Sequence, residues 1–314
     1  MKEIIAAIPK EVLEKELTED KFMRVTNYGN NHLYSVTHHD SPNVMLEIGR
    51  LRELTFRAAK GGTGKDADID DYDTCSKPYS QLIVWNPESK EILGGYRYIL
   101  CKNAEKDDEG NFKLATRGLF EFSEKFVNEY LPLTIELGRS FVVPSYQATG
   151  GGKQSLFTLD NLWDGLGALI IDHPEIKYFF GKVTMYTTYN QLARDLILYF
   201  FKKRFPDNLG LMKPHKPLSF HHSEKKLQGI LNGNTYQEDY KILSQNVRSL
   251  GENIPPLINT YMNTSPNMMS FGTAMNYKFG EVEETGIIIH IPDIFPQKKD
   301  RHINTYIEQK KSGS

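Results

Sequence analysis

The chain has 314 residues, enough for one or two domains with a sizeable buried core. Thirty-eight Lys and Arg stand against 40 Asp and Glu, and a net charge of −2 argues against a dedicated nucleic-acid binder. With 39% apolar and 25% charged residues the composition is globular, and two cysteines, Cys75 and Cys101, outside any CxxC pair, fit a reducing compartment better than a disulfide framework. The opening MKEIIAAIPK turns polar too soon for a signal peptide, and no apolar run approaches the ~20 residues of a bilayer span. The expectation is a soluble cytoplasmic protein, at most peripheral on the inner face of the membrane.

Residues 1 to 30 read as a short helical lead-in, part of an N-terminal stretch running to residue 43; Pro9 suits a helix start and Val12, Leu13 and Leu17 follow with helical spacing. Residues 44 to 60 form a predicted helix with Met45, Ile48, Leu51, Leu54 and Phe56 on its apolar side, stopped by Gly61-Gly62. A Gly- and Asp-rich loop occupies 61 to 79. Residues 81 to 85 and 92 to 100 form a predicted hairpin about the turn Asn86-Pro87-Glu88-Ser89. An amphipathic helix is expected over 120 to 129, and a strand over 133 to 143 that Pro144 ends. After Gly150-Gly151-Gly152 come an apolar helix over 156 to 171, a strand over 177 to 186 and a one-sided apolar helix over 190 to 205. Residues 213 to 253 are more polar, with two His-rich turns and helices. A helix over 254 to 262 enters through Pro255-Pro256, residues 286 to 291 form the last strand, and the charged tail from Pro296 is expected to fray. This is the α/β or α+β pattern, a mixed central sheet flanked by helices. No repeat or linker divides it, so a single domain over 1–314 is expected, with a helical insert at 206–253 near the C-terminus.

Several motifs fail on spacing. Lys60-Gly61-Gly62-Thr63-Gly64-Lys65 resembles a phosphate loop, but Ala59 and Asp66 stand where Gly and Ser or Thr belong, and the loop follows a helix. Asp66, Asp68 and Asp70 suit the first positions of a calcium loop, yet Asp71 and Lys77 replace its Gly and Glu. The pairs His38-His39 and His221-His222 have no third ligand at metal spacing. No GxSxG elbow occurs, and nothing places a base beside either cysteine.

Four other pieces read as one site. They are Arg52 with Phe56, four apart on a helix face; Asp70 with Asp73; Arg97 in Gly94-Gly95-Tyr96-Arg97-Tyr98; and Glu136-Leu137-Gly138-Arg139-Ser140-Phe141-Val142. Strand alternation puts Glu136 and Ser140 on one face and Arg139 on the other, unless a bulge at Gly138 resets the register.

This order, Arg-xxx-Phe, Asp-xx-Asp, GGxR and Glu-xx-Arg, resembles the acyl-homoserine-lactone synthases. The longer texts RLRELTFRAAKGGTGKDADIDDYD, QLIVWNP, GGYRYIL and ELGRSFVVPSYQ are closer to their relatives, the hemolysin-labelled N-acyltransferases that begin ornithine-lipid and glycine-lipid synthesis. Both groups have the GNAT acyltransferase fold. Asn190-Gln191-Leu192-Ala193 through Leu198-Tyr199 resembles that fold's N-x-x-A…L-Y helix, and residues 254 to 261 resemble a stretch near the end of the hemolysin-labelled relatives. The resemblance covers about 45–205 well, covers 254–291 loosely, and leaves the insert unplaced.

The resemblance implies transfer of a fatty acyl group, 3-hydroxylated or not, from acyl carrier protein to the amine of a small amino acid such as glycine or ornithine. No tightly bound cofactor and no metal is implied, and acyl-coenzyme A is the other donor form. An amine protonated at neutral pH must lose a proton before it attacks, and a carboxylate in a partly dry site suits that task; Glu136 is the first candidate, with an ion pair to Arg139 or Arg97 as its structural alternative. Arg97 and Arg139 are candidates for the acceptor's carboxylate, with Arg52, Phe56, Asp70, Asp73 and Ser140 as further substrate contacts. Tyr199 matches the position that protonates the leaving thiolate in relatives. Phe141, Val142, Gln147, Gly150, Gly152, Lys153 and Asn190 are the implied contacts to the donor's phosphopantetheine; Gln147, Gly150 and Gly152 fit Q-x-x-G-x-G ahead of a helix. Lys202, Lys203 and Arg204 are the densest basic cluster available to an acidic carrier protein. Two alternatives remain: a coenzyme A-dependent acetyltransferase of a small amine, and a non-enzymatic, membrane-active, hemolysin-like protein.

Overall fold

Five strands, the central ones buried almost throughout, build the sheet at the centre of the first of two units. Strands β1 (Phe22–Val25), β2 (His32–Val36), β3 (Ser80–Asn86), β4 (Glu91–Leu100) and β5 (Thr134–Val142) lie in that order, each antiparallel to the next. The structure, a computed structural model, describes residues 1–147 and 157–312. The first unit takes in 1–115, 132–177 and the chain from Phe295. Pairing sends Leu82, Tyr96 and Tyr98 to one face of its sheet and Gln81, Arg97 and Glu136 to the other. Helix α4 (Thr158–Asp172) covers the first face, its Gly165 lying against Leu82 and Tyr96. Helix α2 (Pro42–Ala58) serves the second face.

Helix α2 forms because Val44, Met45, Ile48, Leu51 and Phe56 recur at helical spacing, and all five are buried. It starts two residues earlier than predicted, at Pro42, whose fixed φ suits the first helical position. Its free N–H groups are met by Glu16 of helix α1 (Lys10–Glu16), which accepts from Asn43 N at 3.2 Å and Val44 N at 2.8 Å. Beyond α1 the N-terminal stretch has only a three-residue 3-10 turn, Glu19–Lys21, before β1 and β2, strands of 4 and 5 residues that carry too little apolar alternation to be read locally.

The tail is not frayed either. Helical turns Pro296–Lys299 and Thr305–Ser312 are joined by a π-helical turn, Asp300–Asn304. Its charges have partners within the unit: Arg301 reaches Asp160 at 2.8 Å, and His302 Nδ1 lies 2.8 Å from the buried Asp164. Arg24 of β1 donates to the His302 carbonyl at 3.2 Å and sits 5.1 Å over the Tyr306 ring. A terminus anchored this way is ordered.

The second unit takes in Thr116–Leu131 and Tyr178–Ile294. Strands β6 (Tyr178–Tyr186), β7 (Met269–Asn276) and β8 (Val282–His290) form a sheet with β8 in the middle, antiparallel to both neighbours. Strand β7 was not predicted, and β8 starts four residues before the predicted one. Helix α5 (Gln191–Arg204) supplies Leu196, Ile197, Phe200 and Phe201 to the core. The helix expected over 120 to 129 is replaced by a three-residue strand, Phe120–Phe122, paired with Met212–Pro214, and a π-helical turn, Phe126–Tyr130. The aromatic spacing that mimics a helix face serves another end: Phe122 and Phe126 both pack on Phe180, at 5.8 and 5.4 Å.

Helices α6 (Glu224–Ile230) and α7 (Tyr236–Ser249) fall in the 206–253 stretch, α7 opening with a Thr235–Glu238 capping box. The basic end of α5 anchors them. Lys203 and Arg204 both pair with the buried Asp239, Lys203 at 2.7 Å, and Lys202 pairs with Glu224 at 2.8 Å. The cluster expected to meet a carrier protein is thus directed at the chain's own carboxylates.

Among the described glycines of the first unit, Gly167 of α4 has the least room, because a Cβ there would lie 2.1 Å from the His302 carbonyl oxygen. Gly167→Ala is expected to destabilise by about 1–3 kcal/mol, read as a lowered Tm. Gly229→Ala in α6, where a Cβ meets nothing within 4 Å, should be neutral or slightly stabilising in the same measurement.

Candidate active site

The pairing of β4 with β5 is regular from Leu100↔Ile135 to Arg97↔Gly138 and resumes at Gly95↔Phe141. Two residues, Arg139 and Ser140, therefore oppose Tyr96 alone, which is a β-bulge. Arg139 adopts φ +52°, a left-handed conformation that a non-glycine residue enters only at a cost of roughly 1–2 kcal/mol. The bulge resets the alternation: Arg139 joins the face that carries Glu136 and Arg97. Gly94 makes this approach feasible, since a Cβ there would lie 2.6 Å from the Phe141 carbonyl oxygen, and Gly95 lets β3 lie close on the other side, where a Cβ would lie 2.6 Å from that of Leu82.

On that face three guanidiniums meet three carboxylates. Arg52 reaches Asp68 through Nε at 3.1 Å and Asp73 through Nη1 at 3.4 Å. Arg97 holds Asp70 at 2.7 Å and Asp73 at 3.2 Å. Arg139 Nε lies 2.8 Å from Asp68, and its Nη2 lies 3.7 Å from Asp70. Gln81 donates to Asp73 at 3.0 Å. The Arg97 guanidinium also faces the rings of Tyr72 and Tyr79, 5.4 and 5.1 Å from their centroids. Asp70 caps the short helix α3 (Asp71–Thr74), and Asp73 accepts from the Asp70 N–H at 3.1 Å, which holds the loop's carboxylates in place. Burial by itself would raise the carboxyls of Asp68 and Asp73. Arg52, with Arg139 beside Asp68 and Arg97 beside Asp73, instead holds both below the usual carboxylate range.

Glu136, almost fully buried, stands two residues from Gly138 on the same face. The Tyr79 hydroxyl donates to its Oε2 and accepts from the Ala115 N–H at 3.0 Å. Burial, and then the Glu136 charge, push the Tyr79 hydroxyl well above its usual pKa, so it remains a donor. The same two causes, in the same order, raise the thiol of Cys101, and burial raises that of Cys75; neither is a ready thiolate.

Residues 51–154 match the acetyltransferase (GNAT) domain family. A glycine N(alpha)-acyltransferase of Bacteroides thetaiotaomicron is 57% identical over 308 residues, spanning 98% of this chain and 91% of that protein. Another, from Phocaeicola vulgatus, is 56% identical over 309 residues, spanning 98% of this chain and 95% of its own. The chain belongs to this acyltransferase family. No solved structure matches it.

Within the acyltransferase, the structure brings Arg52, Asp70, Asp73, Arg97 and Arg139 into one cluster, with Glu136 beside them on the β5 strand. Phe56 is buried on α2, Ser140 lies in the bulge, and Phe141 is buried opposite Gly95. Val142 pairs with Gly94, and its carbonyl accepts from Gln147 Nε2 at 2.8 Å. Gly150, Gly152 and Lys153 lie outside the described residues. Asn190 and Tyr199 belong to the second unit. Asn190 caps α5, accepting from Leu192 N at 3.0 Å and Ala193 N at 3.2 Å; Tyr199 is half-buried, its ring 6.2 Å from that of Phe220. Asp68, Tyr72, Tyr79 and Gln81 were not predicted. Asp68 alone carried a signal, the Asp66-x-Asp68-x-Asp70 run, of which Asp68 and Asp70 face guanidiniums while Asp66 lies 3.8 Å from Lys2.

The loop that resembles a phosphate site also has an oxyanion, an internal one. Glu53 of α2 accepts from Thr63 N at 3.0 Å, Thr63 Oγ1 at 2.7 Å and Gly64 N at 2.8 Å, and pairs with Arg57 at 2.7 Å. Its glycines turn main-chain donors onto a carboxylate of their own chain.

Arg52 is fully buried between Asp68 and Asp73, so Arg52→Met leaves three carboxylates against two guanidiniums and should cost about 3–5 kcal/mol at pH 7. In the wild type the depressed carboxyls contribute stability above their unfolded pKa of about 3.9, which fades as pH falls through the lower folded values. In the variant Asp68 keeps Arg139 and Asp73 keeps Arg97, so their carboxyls are depressed less and less stability is lost as pH falls below about 3.9. The Tm gap between the two proteins should narrow from pH 7 to about pH 3. A constant gap would mean that the loss is one of packing.

Proposed function

We propose that the protein transfers a fatty acyl chain from acyl carrier protein to the amine of glycine, the first step in making an amino-acid lipid. The near full-length identity to two proteins named for glycine carries the acceptor, and the resemblance of the four motifs carries the donor. The site offers means for the chemistry. Glu136 takes a proton from the glycine ammonium, and the freed amine attacks the thioester carbonyl. The new C–N bond forms, the C–S bond breaks, and the second amine proton departs as the thiolate leaves. The bulge at Arg139 and Ser140 interrupts the β4–β5 ladder next to Glu136, where main-chain N–H groups can serve the oxyanion.

For the acceptor's carboxylate, Arg139 is the first choice among the three guanidiniums. Its side chain is 15% exposed, against 3% for Arg97 and none for Arg52. Arg52 and Arg97 act by holding Asp68, Asp70 and Asp73. Arg52 Nη2, Arg97 Nε and Asp68 Oδ1 have no hydrogen-bond partner among the described residues, and a zwitterion brings both an acceptor and a donor.

A purified-enzyme assay separates the readings. Acyl carrier protein carrying a long acyl chain, supplied with glycine, should be turned over much faster than acetyl-coenzyme A; the reverse order favours the coenzyme A-dependent acetyltransferase. Lysis of membranes with no acyl donor present favours the non-enzymatic reading, although no helix among the described residues is long and apolar enough to cross a membrane. Glu136→Gln should lower kcat by roughly 10²- to 10⁴-fold with Tm kept, and the loss should shrink at high pH, where the amine is already neutral. A near wild-type kcat moves the base elsewhere. Arg139→Lys should raise the KM for glycine because it lacks the planar fork, and Tyr199→Phe tests the leaving-group role by its effect on kcat.

A further inference from the structure

Residues 213–226 of the second unit carry four lysines against one glutamate, in a chain whose net charge is −2. The glutamate, Glu224, is held by Lys202 at 2.8 Å, and Lys213 pairs with Glu121 at 3.1 Å. Lys216, Lys225 and Lys226 are exposed, and none has an acidic partner among the described residues. Lys225 and Lys226 lie in the first turn of α6, where the helix dipole disfavours cations, so helix stability does not account for them.

The segment is rigidly mounted. Leu218 N donates to the Thr273 carbonyl at 2.9 Å, and Arg194 Nη1 donates to the Ser219 carbonyl at 2.9 Å. His222 meets the buried Asp195 twice, through its backbone N at 2.8 Å and Nδ1 at 2.9 Å. Arg194 supports Asp195 in turn at 2.7 Å and is tied to Glu283 at 2.7 Å. Beside the segment lies a cleft of about 430 Å³ with apolar walls from Leu198, Phe201, Pro206, Leu218 and Phe220; Lys202, Asp207 and Glu224 also line it, Glu224 paired with Lys202 and Asp207 accepting from Leu211 N at 2.7 Å. Its size is within the range of ligand pockets.

We propose that this face docks the acidic carrier protein that delivers the acyl chain, with Lys216, Lys225 and Lys226 meeting its acidic side chains and the cleft receiving an apolar anchor residue. The inference rests on the carrier-protein reading of the donor. A cleft with apolar walls in a segment that carries exposed cations suits an interface with an acidic protein, where charge steers the encounter and a central anchor holds it. A lipid surface is matched less well, because Leu218 and Phe220 are half-buried against the unit instead of protruding. The pre-fixed backbone lowers the ordering cost of binding.

The test measures the dissociation constant of acyl carrier protein for the wild type and for the triple variant Lys216→Glu, Lys225→Glu, Lys226→Glu at low and moderate salt, with Tm as the folding control. Wild-type binding should weaken as salt rises, and the variant should bind at least roughly tenfold more weakly at low salt with Tm retained. Equal affinity of the two proteins overturns the docking face. So does a variant that loses binding only to vesicles of anionic lipid, which would make this a membrane face. A wild type that binds no carrier protein yet acylates glycine from acyl-coenzyme A overturns the donor reading itself, a separate failure.

Discussion

Everything in the candidate site depends on an ion cluster built away from water, three guanidiniums against three carboxylates, in which each member pairs with two of the opposite charge. Charges buried this deeply are tolerated only when paired with good geometry. The geometry comes from three places distant in sequence: Arg52 on a helix, Asp68, Asp70 and Asp73 on a loop, and Arg97 and Arg139 on two strands. The bulge is what admits the last of them. A regular strand would turn Arg139 to the far face, so the left-handed residue and the cluster stabilise each other. Gly94 serves the same end by letting β5 lie close to β4, and Gly95 lets β3 lie close on the other side.

The carboxylates are rigid for a second reason. The Asp70–Asp73 capping box closes α3, so moving either aspartate breaks a helix end as well as an ion pair. Tyr72 and Tyr79 then shut Arg97 off from solvent, and Tyr79 couples this cluster to Glu136 through its hydroxyl. The proposed proton acceptor, Glu136, thus sits beside a framework whose charges are balanced and fixed before any substrate arrives, the kind of preorganisation that acyl transfer needs.

The second unit uses charge in the same way for a different purpose. Asp195 and Asp239, both buried, draw cations from either end of α5 and fix the polar segments that follow it. Lys202, Lys203 and Arg204 look like a surface patch in the sequence because a run of cations says nothing about what faces it. Lys216, Lys225 and Lys226 look less like one, since two histidines, a proline and a glutamate separate the first from the other two, yet they are exposed and have no acidic partner among the described residues. Asn190 is a similar case: its place in an N-x-x-A text suggests a ligand, and its side chain spends its acceptor capacity on two N–H groups of α5.

By itself the sequence determined the long periodic elements, α2, β3, β4, β5, α4, β6 and α5, because a three-to-four or a two-residue apolar rhythm is a local property. It also determined which motifs belong together, through the order of Arg52, Asp70, Asp73, Arg97, Glu136 and Arg139. Only the tertiary structure decided the rest. The short strands β1 and β2 and the pairing of Phe120–Phe122 satisfy their backbones through distant partners, and the charged tail is ordered by Asp160, Asp164 and Arg24 rather than by any rhythm of its own. Asp68 and Tyr79 gain their roles only when the loop folds over the sheet. Whether Arg139 faces Glu136's side was left open by alternation, and one extra residue opposite Tyr96 settled it, because a strand's side-chain period of two makes a shift of one residue a change of face.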